Sequence, residues 1–128
     1  MPETSQTRLG WILSALFAVF MLGASAAPKL LGMPIAQQTM AALGWPEAPI
    51  LLIGVLELVC TLLFLLPPTG VLGAVLTMAI LGGAMVTQLR AGSPLFSHTL
   101  FSIYPGLWMW AGLILRDGRV RAVFPFVR

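Results

Sequence analysis

Charge is what this chain has least of. Of its 128 residues only 9% are Asp, Glu, Lys or Arg, where a soluble domain carries about a quarter. Combined with 59% hydrophobic residues, that scarcity excludes an ordinary soluble domain and points to an integral membrane protein. Cysteine occurs once, at Cys60, so no disulfide closes within the chain and no CxxC redox centre is available. Histidine also occurs once, at His98. It cannot provide bis-histidine haem ligation, and no His/Asp/Glu cluster has metal-ligand spacing; it reads as a loop or helix-end residue. The glycines of Gly70-x-x-Gly73-Ala74 and Leu81-Gly82-Gly83-Ala84 lack the Lys-Ser/Thr of a phosphate loop, and read as close helix contacts. Seven basic residues against four acids give a formal charge of +3, but the bases sit at segment ends and form no nucleic-acid face.

What is present is aliphatic. Four apolar segments run over about 9–27, 50–66, 71–89 and 99–115, each roughly 25–29 Å long as helix, against a bilayer core of about 30 Å. Lipid offers the backbone no hydrogen-bond partners, so these segments must be helical. Arg8, the first run and Ala24-Ser25-Ala26 have the look of a signal peptide with its cleavage site. The run is long for that, and we read it as a retained helix. Pro67-Pro68-Thr69-Gly70 is a tight link that makes the second and third segments antiparallel neighbours. Between the first two segments, Met33 to Leu43 predicts a short surface helix, with Pro34 near its start and Gly44 beyond its end. The expected fold is therefore all-α, an integral membrane four-helix bundle running up-down-up-down, with a short interfacial helix between helices one and two. Arg8, Arg116, Arg119, Arg121 and Arg128 fall on one side and Lys29 and Arg90 on the other. This puts both termini in the cytoplasm by the positive-inside rule.

Against this background one residue stands out. Glu57 is the only acid within the apolar segments, and an acid at a helix centre costs roughly 2.5–3.5 kcal/mol on insertion scales. Thirteen Leu, Ile, Val and Phe residues between Ile50 and Leu66 offset this by roughly 4–8 kcal/mol, so insertion alone does not explain its presence. Glu57 lies about 12 Å from the outer end of its helix. It shares a face with Gly54 and Thr61, at spacings of three and four. Lys29, Gln88, Arg90 and Tyr104 enter from the same end, so these five are the candidate ligand-binding residues, with Glu57 also the candidate catalytic one. A counter-charge for Glu57 is expected from Lys29 or Arg90. A protonated Glu57 acting as a hydrogen-bond donor is the alternative. Cys60 is expected to be buried and inert, and Trp108 and Trp110 to be packing aromatics.

The order of short motifs resembles the DoxX-like family of small bacterial membrane proteins. The motifs are Lys29 closing helix one, Leu43-Gly44-Trp45-Pro46 before helix two, and Gly54-Val55-Leu56-Glu57-Leu58 within it. Leu81-Gly82-Gly83-Ala84, Leu89-Arg90 and Leu115-Arg116-Asp117-Gly118-Arg119 follow. The resemblance implies a four-helix bundle of the bacterial inner membrane and matches the family's Lys and Glu to Lys29 and Glu57. It departs where resembling sequences often place a histidine late in helix three, since Gln88 or its neighbours stand there. Some members are associated with quinone-linked oxidation of sulfur compounds or with membrane oxidoreductase assemblies. The expected function is thus an accessory component of a membrane redox assembly that binds a quinone, a lipid or a small apolar molecule. Two alternatives stay open: a membrane enzyme using Glu57 as general acid or base, and a purely structural assembly protein. No cofactor motif is evident, and a quinone is the cofactor the resemblance brings in. Expected partners are membrane lipid, oxidoreductase subunits and a second copy of the chain, with no nucleic acid among them.

Overall fold

The computed structural model describes residues 3–128, and these form helices and their connections with no strand among them. Helix α1 (Glu3–Phe20), a π turn over Met21–Ala26 and α2 (Ala27–Leu30) follow one another without a break. They make a rod, Thr4–Leu30, of 27 residues. It starts earlier than the apolar run, because the polar residues before Leu9 extend the helix. The π turn has a local cause. Pro28 has no N–H to give, and its ring presses on the carbonyl four residues back. Just before it the ladder opens by one residue, and the Ala27 N–H reaches Leu22 O.

Helix α3 (Pro34–Ala42) has proline in its first turn and no buried residue. Gly32 and Gly44, at φ of +68° and +85°, flank it, and this left-handed backbone is cheap only for glycine. Helix α4 (Ile50–Leu65) stops at Pro67-Pro68, and a 3₁₀ turn over Pro67–Thr69 leads into α5 (Gly70–Arg90). Another 3₁₀ turn, Thr99–Ser102, precedes α6 (Ile103–Arg116), so the α-helix starts four residues later than the apolar segment. Pro105 fits in the first turn of α6, where backbone N–H groups have no intrahelical partner anyway. Helix α7 (Gly118–Val123) follows Asp117, whose carboxylate caps it through the Arg119 N–H. The rods Thr4–Leu30 and Pro67–Arg90 are long and apolar enough to cross a membrane; Ile50–Leu65 is apolar but shorter.

Small residues set how the helices meet. The longest packing seam joins α1 and α6. There Gly10 lies on the Arg116 backbone, and a Cβ at Gly112 would come 2.7 Å from the Ser14 Oγ. Gly73 of α5 lies directly against the Phe64 backbone of α4, leaving no room for a methyl group. Between these pairs sits a core of Phe17, Met21, Phe64, Ala74, Met109, Leu113 and Val120. Phe17 meets Phe64 and Trp108 edge to face, at 5.5 and 5.9 Å between ring centres. The opposite faces carry exposed Leu, Val and Ile residues along α1, α4 and α5. That pattern suits a solvent as apolar as the core.

The end of α4 shows how the backbone is satisfied where prolines remove donors. Its last free carbonyls, Leu62, Leu63 and Phe64, accept from Leu66 N, Thr69 Oγ1 and Arg116 Nη2 respectively. Arg121 Nη1 does the same for Ile114 O and Leu115 O at the end of α6, at 2.8 and 3.0 Å. Sequence reading treats these arginines as topology signals. They also close helix ends.

Candidate functional site

Glu57 lies on the buried face of α4 with Gly54, Cys60, Thr61 and Phe64. Thr61 Oγ1 donates to the Glu57 backbone carbonyl at 2.7 Å, which turns this hydroxyl back along its own helix, away from the carboxylate. Gly54, one turn before Glu57, makes room for the incoming lysine: a Cβ there would come 2.9 Å from the Lys29 Cβ. The π turn packs against α4. It presents Ser25 to the carboxylate and Lys29, four residues on, to the same place.

The three side chains form one closed network. Ser25 Oγ lies 3.0 Å from each oxygen of Glu57 and donates to the carboxylate. Lys29 Nζ donates to Ser25 Oγ and to the Ser25 carbonyl, both at 3.0 Å. It also stands 3.2 Å from Glu57 Oε1 and 3.3 Å from Oε2. An ammonium group has three donors, and all three are used. A charge withdrawn from water needs both a counter-ion and hydrogen bonds to offset its desolvation. Here Lys29 and Ser25 meet that requirement between them. The Glu57 side chain is 6% exposed and the Lys29 side chain 18%, so the pair is open from the lysine side only. On that side an open groove of about 360 Å³ is lined by Lys29, Leu30, Met33, Gln37, Ile50, Leu51 and their neighbours.

The other sequence candidates lie elsewhere. Arg90 ends α5 exposed, and the ion pair of Glu57 is made by Lys29. Tyr104 is exposed as well, and its hydroxyl donates to the Phe96 carbonyl at 2.8 Å, away from Glu57. Gln88 is half-buried, and its Oε1 has no hydrogen-bond partner among the described residues. His98 is exposed beside Ser97 Oγ. Among the described residues no three of His, Cys, Asp and Glu gather as metal ligands would. Cys60 is buried one turn past Glu57. Ser25 was not among the candidates. Its signal in the sequence was the spacing of four to Lys29, which places both on one helix face.

The described residues are helices and turns, two rods among them are long and apolar enough to cross a bilayer, and the ion pair is sheltered between two helices, an arrangement in keeping with a helical membrane protein. The chain belongs to the DoxX-like family, whose model matches residues 12–112. No curated protein and no solved structure matches it.

Proposed function

We propose that the chain is a multi-pass protein of the bacterial inner membrane, a four-helix up-down-up-down bundle with both termini in the cytoplasm. We infer that it serves as a non-catalytic accessory component of a membrane redox assembly. In that role it binds an amphiphile, a quinone or a lipid, in the groove beside Lys29. The bundle reading draws on opposed contacts. Phe17 and Lys29 of the first rod meet Phe64 and Gly54 of α4, and Phe64 meets Gly73 of α5. Gly70 and Leu81 of α5 face Leu113 and Gly106 of α6. In the first and last of these pairs the numbering rises along one helix as it falls along the other, and the short turn at Pro67–Thr69 joins α4 to α5.

One observation carries the ligand reading: a partly exposed Lys29 side chain in the wall of a mostly apolar groove, with its carboxylate partner buried behind it. A small-molecule site is mostly apolar with a few placed polar groups, and this groove has that character. Lys29 would turn one of its three donors to a polar head while Ser25 keeps Glu57 bonded. Thermal unfolding of the full chain in nanodiscs, titrated with a short-tailed quinone, tests the reading. The wild type is expected to be stabilised saturably and Lys29→Met not at all. If Glu57→Gln and Lys29→Met change neither this response nor the cellular redox phenotype, the reading is wrong. Turnover by the purified protein alone, lost in Glu57→Gln, would make Glu57 a general acid or base instead. Function that survives apolar replacement of Lys29 and Glu57 together would leave a structural role.

A further inference from the structure

The second buried charge of the molecule lies at its opposite end and is treated quite differently. Arg116 is 9% exposed. Its guanidinium lies between two aromatic rings, 4.3 Å from the centre of Trp11 and 4.5 Å from that of Phe64. Nη2 donates to Phe64 O, but Nη1 has no hydrogen-bond partner among the described residues. No described carboxylate pairs with it. Glu57 is bound to Lys29, and Asp117 is bound by the Arg119 N–H, Nε and Nη2 at 2.9, 3.1 and 3.0 Å. The first residue of α5 presses on the same guanidinium, since a Cβ at Gly70 would come 2.7 Å from Nη2. A helix start carries positive partial charge, while the ends of α4 and α6, where Arg116 sits, carry the opposite sign. A cap for Phe64 O explains one face of the group and leaves Nη1 unexplained.

We propose that Arg116 is the base of a binding site for a phosphate-bearing anion, presented by a lipid headgroup at the arginine-rich end. The planar guanidinium matches phosphate oxygens better than a point charge does. Trp11, 36% exposed, covers one face of it, so a headgroup would reach Nη1 only with that ring displaced. A tryptophan there belongs at headgroup level. Arg8 is exposed three residues before Trp11, on the same helix face, and adds a second positive charge at the mouth. The site is independent of the groove beside Lys29, because it stands on other residues at the other end.

The test uses the full chain in nanodiscs. In one arm phosphatidylglycerol replaces phosphatidylcholine stepwise; in the other, inorganic phosphate is added to pure phosphatidylcholine discs. Saturable thermal stabilisation by phosphatidylglycerol is expected, with one such lipid retained in native mass spectra. Arg8→Gln, a peripheral change, is expected to weaken this by about fivefold, the worth of one basic residue near an anionic surface. Arg116→Gln is expected to abolish it. Because Arg116→Gln also removes a helix cap, solid-state NMR on wild type gives a reading free of that ambiguity. Dephasing of the Arg116 ¹⁵Nη signals by ³¹P should appear with phosphatidylglycerol and be weaker in pure phosphatidylcholine, whose headgroup phosphate is already neutralised by its own choline. Stabilisation by inorganic phosphate alone would assign the site to a soluble anion and overturn the lipid source. A response that rises without saturation, or is equal in Arg8→Gln, or shows no ³¹P dephasing, overturns the site itself.

Discussion

The two buried charges of this molecule are handled in opposite ways. At one end Lys29 and Glu57 neutralise each other, and Ser25 fills the remaining bonding capacity between them. At the other end Arg116 has aromatic rings, a backbone carbonyl and an unpartnered nitrogen, but no described counter-ion. The first arrangement is complete within the chain and can gain from a ligand only through the groove on the lysine side. Among the described residues the second lacks a carboxylate at ion-pair distance and a partner for Nη1. The contrast teaches that a buried charge can mark either a finished internal bond or half of an external one, and that hydrogen-bond accounting tells them apart.

Mutations can break or sharpen this comparison. The largest effect is expected for Glu57→Gln, which leaves the Lys29 ammonium bonded to Ser25 but without its counter-charge. Loss of one partner of a buried pair costs about 3–5 kcal/mol, readable as a drop in reversible unfolding free energy in detergent. Adding Lys29→Met should restore most of it. If the double variant is as unstable as the single, the pair is not the unit that matters. Next comes Arg116→Met, which removes a charged hydrogen bond to Phe64 O and two ring contacts. A loss of about 2–3 kcal/mol is expected in the same assay, and no second change in the chain should rescue it, because no internal counter-ion is freed. Ser25→Ala is expected to cost about 1–2 kcal/mol, since the direct contact of Lys29 with Glu57 remains. A larger loss would mean that Ser25, not Lys29, is the main partner of the carboxylate.

The smallest effect concerns Asp117. The Arg119 side chain, aided by backbone N–H groups, holds its carboxyl below the usual carboxylate range against a modest push from burial. A depressed folded value means that the contribution is present above the unfolded pKa, near 3.9, and is lost as pH falls through the folded value. Arg119 is 84% exposed, so solvent screens the pair and global stability should hardly move. Amide exchange in α7 should nevertheless rise on acidification below about pH 4, and Asp117→Asn should remove that pH dependence.

Much of this was legible in the sequence, and particular residues show why. Length and hydropathy locate the apolar helices, and the prolines at 67 and 68 locate the turn, because each depends on local composition. Glu57 declares itself by being the one acid in an apolar run, and its need for a counter-charge narrows the partner to Lys29 or Arg90, of which the fold brings Lys29 to it. Arg90 and Tyr104 satisfied the same depth count, but depth along a helix says nothing of rotation about it, and both point elsewhere. Ser25 was hidden by a pattern of small residues that also suits a cleavage site. Arg116 was read as one of five charges setting orientation. That its backbone touches Gly10 and its guanidinium touches Gly70 depends on contacts between residues far apart in the chain, which no local pattern records.

The π turn at Met21–Ala26 also acts as a phase setter for everything after it. One residue of helix is about 100° of rotation. The π turn takes up one residue more than an α-helix of the same rotation would hold, so it absorbs about 100° that would otherwise swing Lys29 away from Glu57. Wound as uninterrupted α-helix, the same residues would carry the lysine off the carboxylate. Whether this protein keeps its internal ion pair thus depends on the hydrogen-bond register of a segment that contains no charge.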